Sequence, residues 1–193
     1  MEPQMRVPTL AGHTVIAVAT ALLLAPALPA TQSAPPTQPI PTAVDFAPAA
    51  AAKMQRYGES ELATLTTAIV SAVSRQSSCS AVPGGLAVAV TVQDIASTRP
   101  TLKQQRDDPT LDPVRTKYLG GAALSGEVRD ASRHVVATVS YRYFPFSLPL
   151  GSVSVDPWAD ARLAIDGFAA RLARACRDLS SGAIPPAANS DSR

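Results

Sequence analysis

The sequence predicts an α+β domain: an antiparallel sheet of three or more strands with helices packed on one face, in the order helix, strand, strand, strand, helix. Three observations carry that expectation. Ser60 to Gln76 and Asp156 to Leu179 repeat apolar residues at the three-four spacing of a single buried helix face. Three stretches between them carry the period-two pattern of strands with one buried face. The strands fall together between the helices, the pattern of helices laid over a sheet rather than of alternating βα units.

Taken along the chain, residues 1–30 read as a signal peptide. Arg6 precedes the uncharged run "TVIAVATALLL" from Thr14 to Leu24, and small residues follow at Ala25-Pro26-Ala27 and Leu28-Pro29-Ala30. The run falls short of the ~20 apolar residues that span a bilayer. Cleavage gives an exported protein; an uncleaved segment would act as an anchor, and membrane contact is expected only in that case. Residues 31–48, "TQSAPPTQPIPTAVDFAP", are rich in proline and read as an extended linker. The folded unit then spans 49–180, and 181–193 reads as a disordered tail.

A short helix is expected over Ala49 to Tyr57. In the helix from Ser60, Leu62, Leu65, Ile69, Ala72 and Val73 share one face, with Ser60 as the capping residue. "SSCSAVPGG" stops it. Leu86 to Ile95 alternates Leu86, Val88, Val90 and Val92 with smaller or polar residues, a strand. Ser97 to Tyr118 contains three prolines and mixed charge and reads as a long loop with a helical turn near Leu102 to Arg106. A loop of that length is functional or disordered. Ala122 to Asp130 and His134 to Phe144 form a strand pair joined by the turn "DASR", with Val135, Ala137, Val139, Tyr141 and Tyr143 on one face. In the last helix Asp156-Pro157 supplies a capping acid and a first-turn proline. Trp158, Ala161, Ile165, Phe168, Leu172, Ala175 and Leu179 make its buried face. Arg171, Arg174 and Arg177 stand near its end, where cations suit the helix dipole.

A formal net charge of +2 provides no basic stripe and excludes nucleic acid as an expected partner. "GAALSGEV", Gly121 to Val128, has the glycine spacing of a phosphate-binding loop. Glu127 and Val128 stand where that loop needs lysine and a hydroxyl, so no nucleotide cofactor is expected. Gly126 reads instead as a close-approach position inside a strand, facing the Trp158 helix or a sharp bend. His134 is the one histidine beyond the signal segment, too few for a typical zinc site, and no metal ligand set is expected. A Cys79–His134 nucleophile pair is weighed against a disulfide cysteine and a hairpin histidine. Asp107, Asp108 and Asp112 lack the alternation and closing glutamate of a calcium loop. Cys79 and Cys176 are the two cysteines, and in an exported chain they read as one disulfide or as two buried thiols.

The segments "LAVAVTVQDI", "GGAALSGEVRDA" (Gly120 to Ala131) and "PWADARLAIDGFAARL" (Pro157 to Leu172) resemble the bacterial envelope family called domain of unknown function thirty-three thirteen. The resemblance covers Glu61 to Ala175 and includes a W-x-D-A start at Trp158, Asp160 and Ala161. Many members are lipoproteins; this chain has no cysteine directly at the end of its apolar run, and Arg133 stands where the hairpin often carries glycine. The resemblance implies fold and envelope location and supplies no catalytic residue. The expected function is therefore a non-enzymatic binding or structural module in the periplasm or at the outer membrane. Phe146, Leu148 and Leu150, in "FPFSLPLGS", are its candidate contacts with a protein, peptide or glycan; core packing followed by a plain loop is the other account of that segment. The competing expectation is a periplasmic hydrolase using carboxylates of the 97–118 loop.

Overall fold

A computed structural model describes residues 40–82, 84–147 and 154–182; the signal peptide expected at 1–30, Leu148, Leu150 and the expected tail beyond 182 lie outside them. The elements are β1 (Thr42–Phe46), α1 (Pro48–Tyr57), α2 (Glu59–Ser74), α3 (Ser77–Ser80), β2 (Ala87–Ala96), α4 (Leu102–Asp107), β3 (Gly121–Arg129), β4 (Val135–Tyr143) and α5 (Ala159–Ser180). The class is α+β. The sheet has four strands in the order β1-β2-β3-β4, antiparallel from β2 to β4.

The sheet is mixed rather than wholly antiparallel, because β1 pairs with β2 in parallel, Thr42 beside Val88 and Phe46 beside Val92. Thr42–Phe46, expected as linker, is extended but hydrogen-bonded. The Pro41 carbonyl accepts from the Val88 N–H and Ala47 donates to Val92. Val44 and Phe46 pack against the core while Ala43 and Asp45 stay exposed. A parallel pair needs a long crossover, and α1, α2 and α3 provide it.

Leu65, Ile69, Ala72 and Val73 of α2 are buried as expected, but Leu62 is 39% exposed. Gly58, not Ser60, stands at the helix cap, and the Ser60 carbonyl accepts from the Thr64 hydroxyl. In β2, Val88, Val90 and Val92 face the helices; a bulge at Gln93 then turns Ile95 inward. A second irregularity, beside Val128 and Arg129, brings Val136 against the core in place of Val135, which is 47% exposed. The hairpin turn closes with Asp130 donating to the His134 carbonyl, and Arg133 takes the left-handed conformation at φ 66°.

Helix α5 lies on β3 and β4, and two glycines let it sit close. A Cβ on Gly126 of β3 would lie 2.6 Å from Cζ of Phe168, and one on Gly167 of α5 would run into the Tyr141 ring of β4. Each layer thus receives an aromatic ring from the other. The residue facing Gly126 is Phe168, from the helix that Trp158 leads. Trp158 is itself buried at the far end of α5, edge-on to Tyr57 at 5.1 Å, with its Nε1–H donating to Glu61 Oε2 at 2.6 Å. Trp158, not Asp156, stands at the helix cap, so Pro157 also lies before the helix; Asp156 accepts from the Trp158 N–H in the turn that leads into it. Cys79 and Cys176 form a fully buried disulfide joining α3 to α5.

Candidate functional site

The antiparallel ladder ends at β4. Among the described residues no strand pairs with its outer edge. In such a ladder alternate residues turn both backbone groups away from the neighbouring strand. Arg171, reaching from α5, identifies which ones do so here: its Nη1–H donates to the Ser140 carbonyl at 3.1 Å. That carbonyl points outward, and by alternation the backbone groups of Thr138 and Arg142 do the same. The side chains of Thr138, Ser140 and Arg142 are all exposed.

Three arginines, Arg142, Arg171 and Arg174, stand along this edge. The Arg171 guanidinium lies 4.8 Å from the centroid of the Tyr141 ring, and that of Arg142 lies 4.7 Å from the Phe144 ring. Arg174 follows one turn later on α5 and is exposed. Among the described residues no carboxylate lies within ion-pair distance of these three arginines. Glu127 is held by Arg129, and Asp166 by Arg75 at 3.6 Å.

The edge runs directly into the aromatic segment. Tyr141 and Tyr143 pack toward the helices, and Phe144 lies against Gly121, whose φ of 141° and close contact with that ring leave no space for a Cβ. Phe146 is 97% exposed. Of the three expected contact residues, the structure describes this one alone. Leu148 and Leu150 lie outside the described residues.

The loop from Ser97 to Tyr118 is fastened along its length. Arg99 is 3% exposed, and its guanidinium donates to the carbonyls of Ser154, Pro113 and Val114. Buried Thr101 caps α4 through a capping box with Gln104, and its hydroxyl donates to the Tyr57 carbonyl at 2.8 Å. Thr98 donates its N–H to Pro157 at 2.7 Å and accepts from the Tyr118 N–H at 2.9 Å.

The three loop carboxylates serve local turns. Asp107 pairs with Lys103 at 2.5 Å. The Thr110 hydroxyl, and then its amide, hold Asp108 below the usual carboxylate range; the amides of Arg115 and Val114 do the same for Asp112. None of the three lines the nearby hollow of about 340 Å³ between Arg56, Tyr57, Ser97, Gln104, Tyr118 and Leu119. A general acid at neutral pH needs a raised pKa, and Asp108 and Asp112 are displaced the other way. A larger open groove of about 610 Å³ between α2 and α5 carries hydroxyls of Thr64, Thr67 and Ser71 and the Arg75–Asp166 pair.

Cys79 and His134 do not meet. The cysteine is buried in its disulfide, and the exposed histidine sits at the hairpin, 3.8 Å from Asp130. Gly121 to Val128 is strand β3 and leads into that hairpin rather than into a helix. No group of three His, Cys, Asp or Glu side chains among the described residues is placed to hold a metal ion. No described helix is long and apolar enough to cross a membrane. Compared with protein-family models, curated proteins and solved structures, the chain matches none.

Sequence reasoning flagged Phe146 but not Arg171. An arginine in the last part of a helix reads as a partner of the helix dipole. Its one further signal is its position on the flank of α5, beside the face that carries Phe168 and Leu172.

Proposed function

We propose that this chain is an exported bacterial envelope protein that binds a protein or peptide partner by strand addition at the outer edge of β4. The observation that carries this reading is the edge itself. It is nine residues long, unpaired among the described residues, and followed within three residues by the fully displayed Phe146. A sheet edge recognises an extended segment through its backbone groups, and neighbouring pockets or apolar side chains add selectivity. Phe146 is the apolar contact in this reading, and Leu148 and Leu150 extend it.

Export is supported by the apolar run at 14–24 and by the buried disulfide, a bond that persists in oxidising compartments. The resemblance to the envelope family agrees with both, and membership of that family is part of the proposal. Binding rather than catalysis is favoured because the loop carboxylates are committed to turns.

Photo-crosslinking tests the reading. A photoreactive phenylalanine analogue placed at Thr138 or Phe146 should give adducts with an envelope component, and one placed at Thr67, on the α2 groove, should not. Equal labelling from all three positions would remove β4 as the site. Deletion of Phe146 to Leu150 should weaken the Thr138 adduct.

A further inference from the structure

We infer that the segment received at β4 is an acidic extended peptide, selected by Arg171 and Arg174; this rests on the strand-addition reading above. Arg171 occupies the Ser140 carbonyl, which an added strand needs for its own N–H. Binding therefore displaces the guanidinium from a neutral acceptor. A residue of the added strand that points to the α5 side lies beside Tyr141, one strand spacing of about 4.8 Å away. A carboxylate there receives the freed Arg171 and exchanges a neutral hydrogen bond for a charge-assisted one.

Arg174 extends the same logic. It sits about 4.5 Å further along the helix axis, and same-face residues of a strand repeat at about 6.8 Å. The two spacings differ by about 2 Å, a gap that long, flexible arginine side chains span, so acids two positions apart on the incoming strand can engage both arginines. A neutral strand gains its backbone bonds but leaves Arg171 without an acceptor, and a lysine-bearing strand is repelled. Of the neighbouring carboxylates, Glu127 and Asp166 are already paired, and Asp178, one turn beyond Arg174 on α5, makes no ion pair with it among the described residues. An anionic lipid surface would also attract the arginines and Phe146, but it supplies no N–H for the outward carbonyls of the edge. The observations therefore favour a peptide.

The probe is a fluorescein-labelled octapeptide alternating aspartate with valine, titrated with the full chain and read by fluorescence anisotropy. Replacing aspartate by serine should weaken binding about fivefold per acid lost, the scale of an exposed ion pair, and replacing it by lysine should weaken binding further. Methylating alternate backbone nitrogens should abolish binding. Arg174→Gln, which removes no hydrogen bond or ion pair among the described residues, should weaken the acidic peptide about fivefold and leave the serine peptide unchanged. Arg171→Gln should weaken the acidic peptide likewise, with unaltered Trp158 emission showing that the fold persists.

Each other outcome is decisive. Equal affinity for acidic and serine peptides, both lost on methylation, keeps strand addition and overturns the charge selection. An unaffected methylated acidic peptide overturns strand addition, and this inference with it. No binding by any peptide up to about 1 mM, where the binding energy is only about 4 kcal/mol, overturns the inference. Retention on phosphatidylglycerol vesicles without peptide binding assigns the patch to a lipid surface instead.

Discussion

Gly126→Ala tests how the sheet and α5 are held together. The added methyl would sit 2.6 Å from Cζ and 3.2 Å from Cε2 of Phe168. Ordinary carbon–carbon contact begins near 3.5 Å, so the overlap is close to an ångström. Phe168 is fully buried and its ring cannot swing into solvent. Overpacking of this kind costs about 1–3 kcal/mol. Relief of glycine's backbone entropy inside a strand returns about 0.5–1 kcal/mol. The expected net loss is about 1–2 kcal/mol, or roughly 3–8 °C in Tm for a domain of this size.

The second half of the test is rescue. Phe168→Leu alone should also destabilise, by about 1–2 kcal/mol, because it leaves unfilled space over Gly126. In the Gly126→Ala background the methyl takes up part of that space. The double variant should therefore be more stable than the sum of the singles by about 1 kcal/mol. Urea unfolding followed by the emission of Trp158, the one tryptophan and a buried one, measures all four proteins. Additivity within about 0.5 kcal/mol, the behaviour of independent sites, would refute the interlock.

Three further predictions follow from the same structure. Replacing Cys79 and Cys176 together by alanine should lower stability by about 4–5 kcal/mol on the chain-entropy model, since the bond closes a loop with a sequence separation of 97; calorimetry under oxidising conditions measures it, and a loss under ~1 kcal/mol would contradict that model here. Arg133→Gly should stabilise the hairpin by about 0.5–1 kcal/mol, because the residue stands at φ 66° and glycine adopts that conformation without the Cβ clash; a lower urea midpoint would argue against it. Asp108 and Asp112 have folded pKa values depressed below 3.8, so their turn bonds are intact above that pH and are lost as pH falls through the lower folded values. The amide resonances of Thr110, Val114 and Arg115 should therefore titrate with midpoints below 3.8, and movement centred above that value would show the bonds to be absent.

Most of the helical and antiparallel framework was legible because each element carries its own periodicity. Leu65, Ile69 and Val73 mark α2, Val88, Val90 and Val92 mark β2, and Trp158 to Leu172 mark α5. Strand β1 was not legible. It has five residues, prolines precede it, and it has only Val44 and Phe46 to bury; its place is set by the bonds of β2, which lie some 45 residues on in the chain. The bulges at Gln93 and at the β3–β4 hairpin end also escaped, since period-two counting assumes an unbroken register. Gly126 signalled a close neighbour, but which side chain of α5 arrives there depends on how far the helix slides along the sheet. The candidate site was legible in part: Phe146 stood out as apolar in a loop, whereas the role of Arg171 depends on where a carbonyl of β4 points.

The disulfide also has a consequence in time. A chain made from its N-terminus releases Cys79 long before Cys176, with a sequence separation of 97. At ordinary synthesis rates of about 5–20 residues per second that interval is about 5–20 s. Throughout it Cys79 has no partner within its own chain, and any bond it makes is to a foreign thiol. The pocket that later shields it needs α5, which arrives together with Cys176. Formation of the native bond is thus tied to the delivery of the last helix, since it cannot form before Cys176 is available.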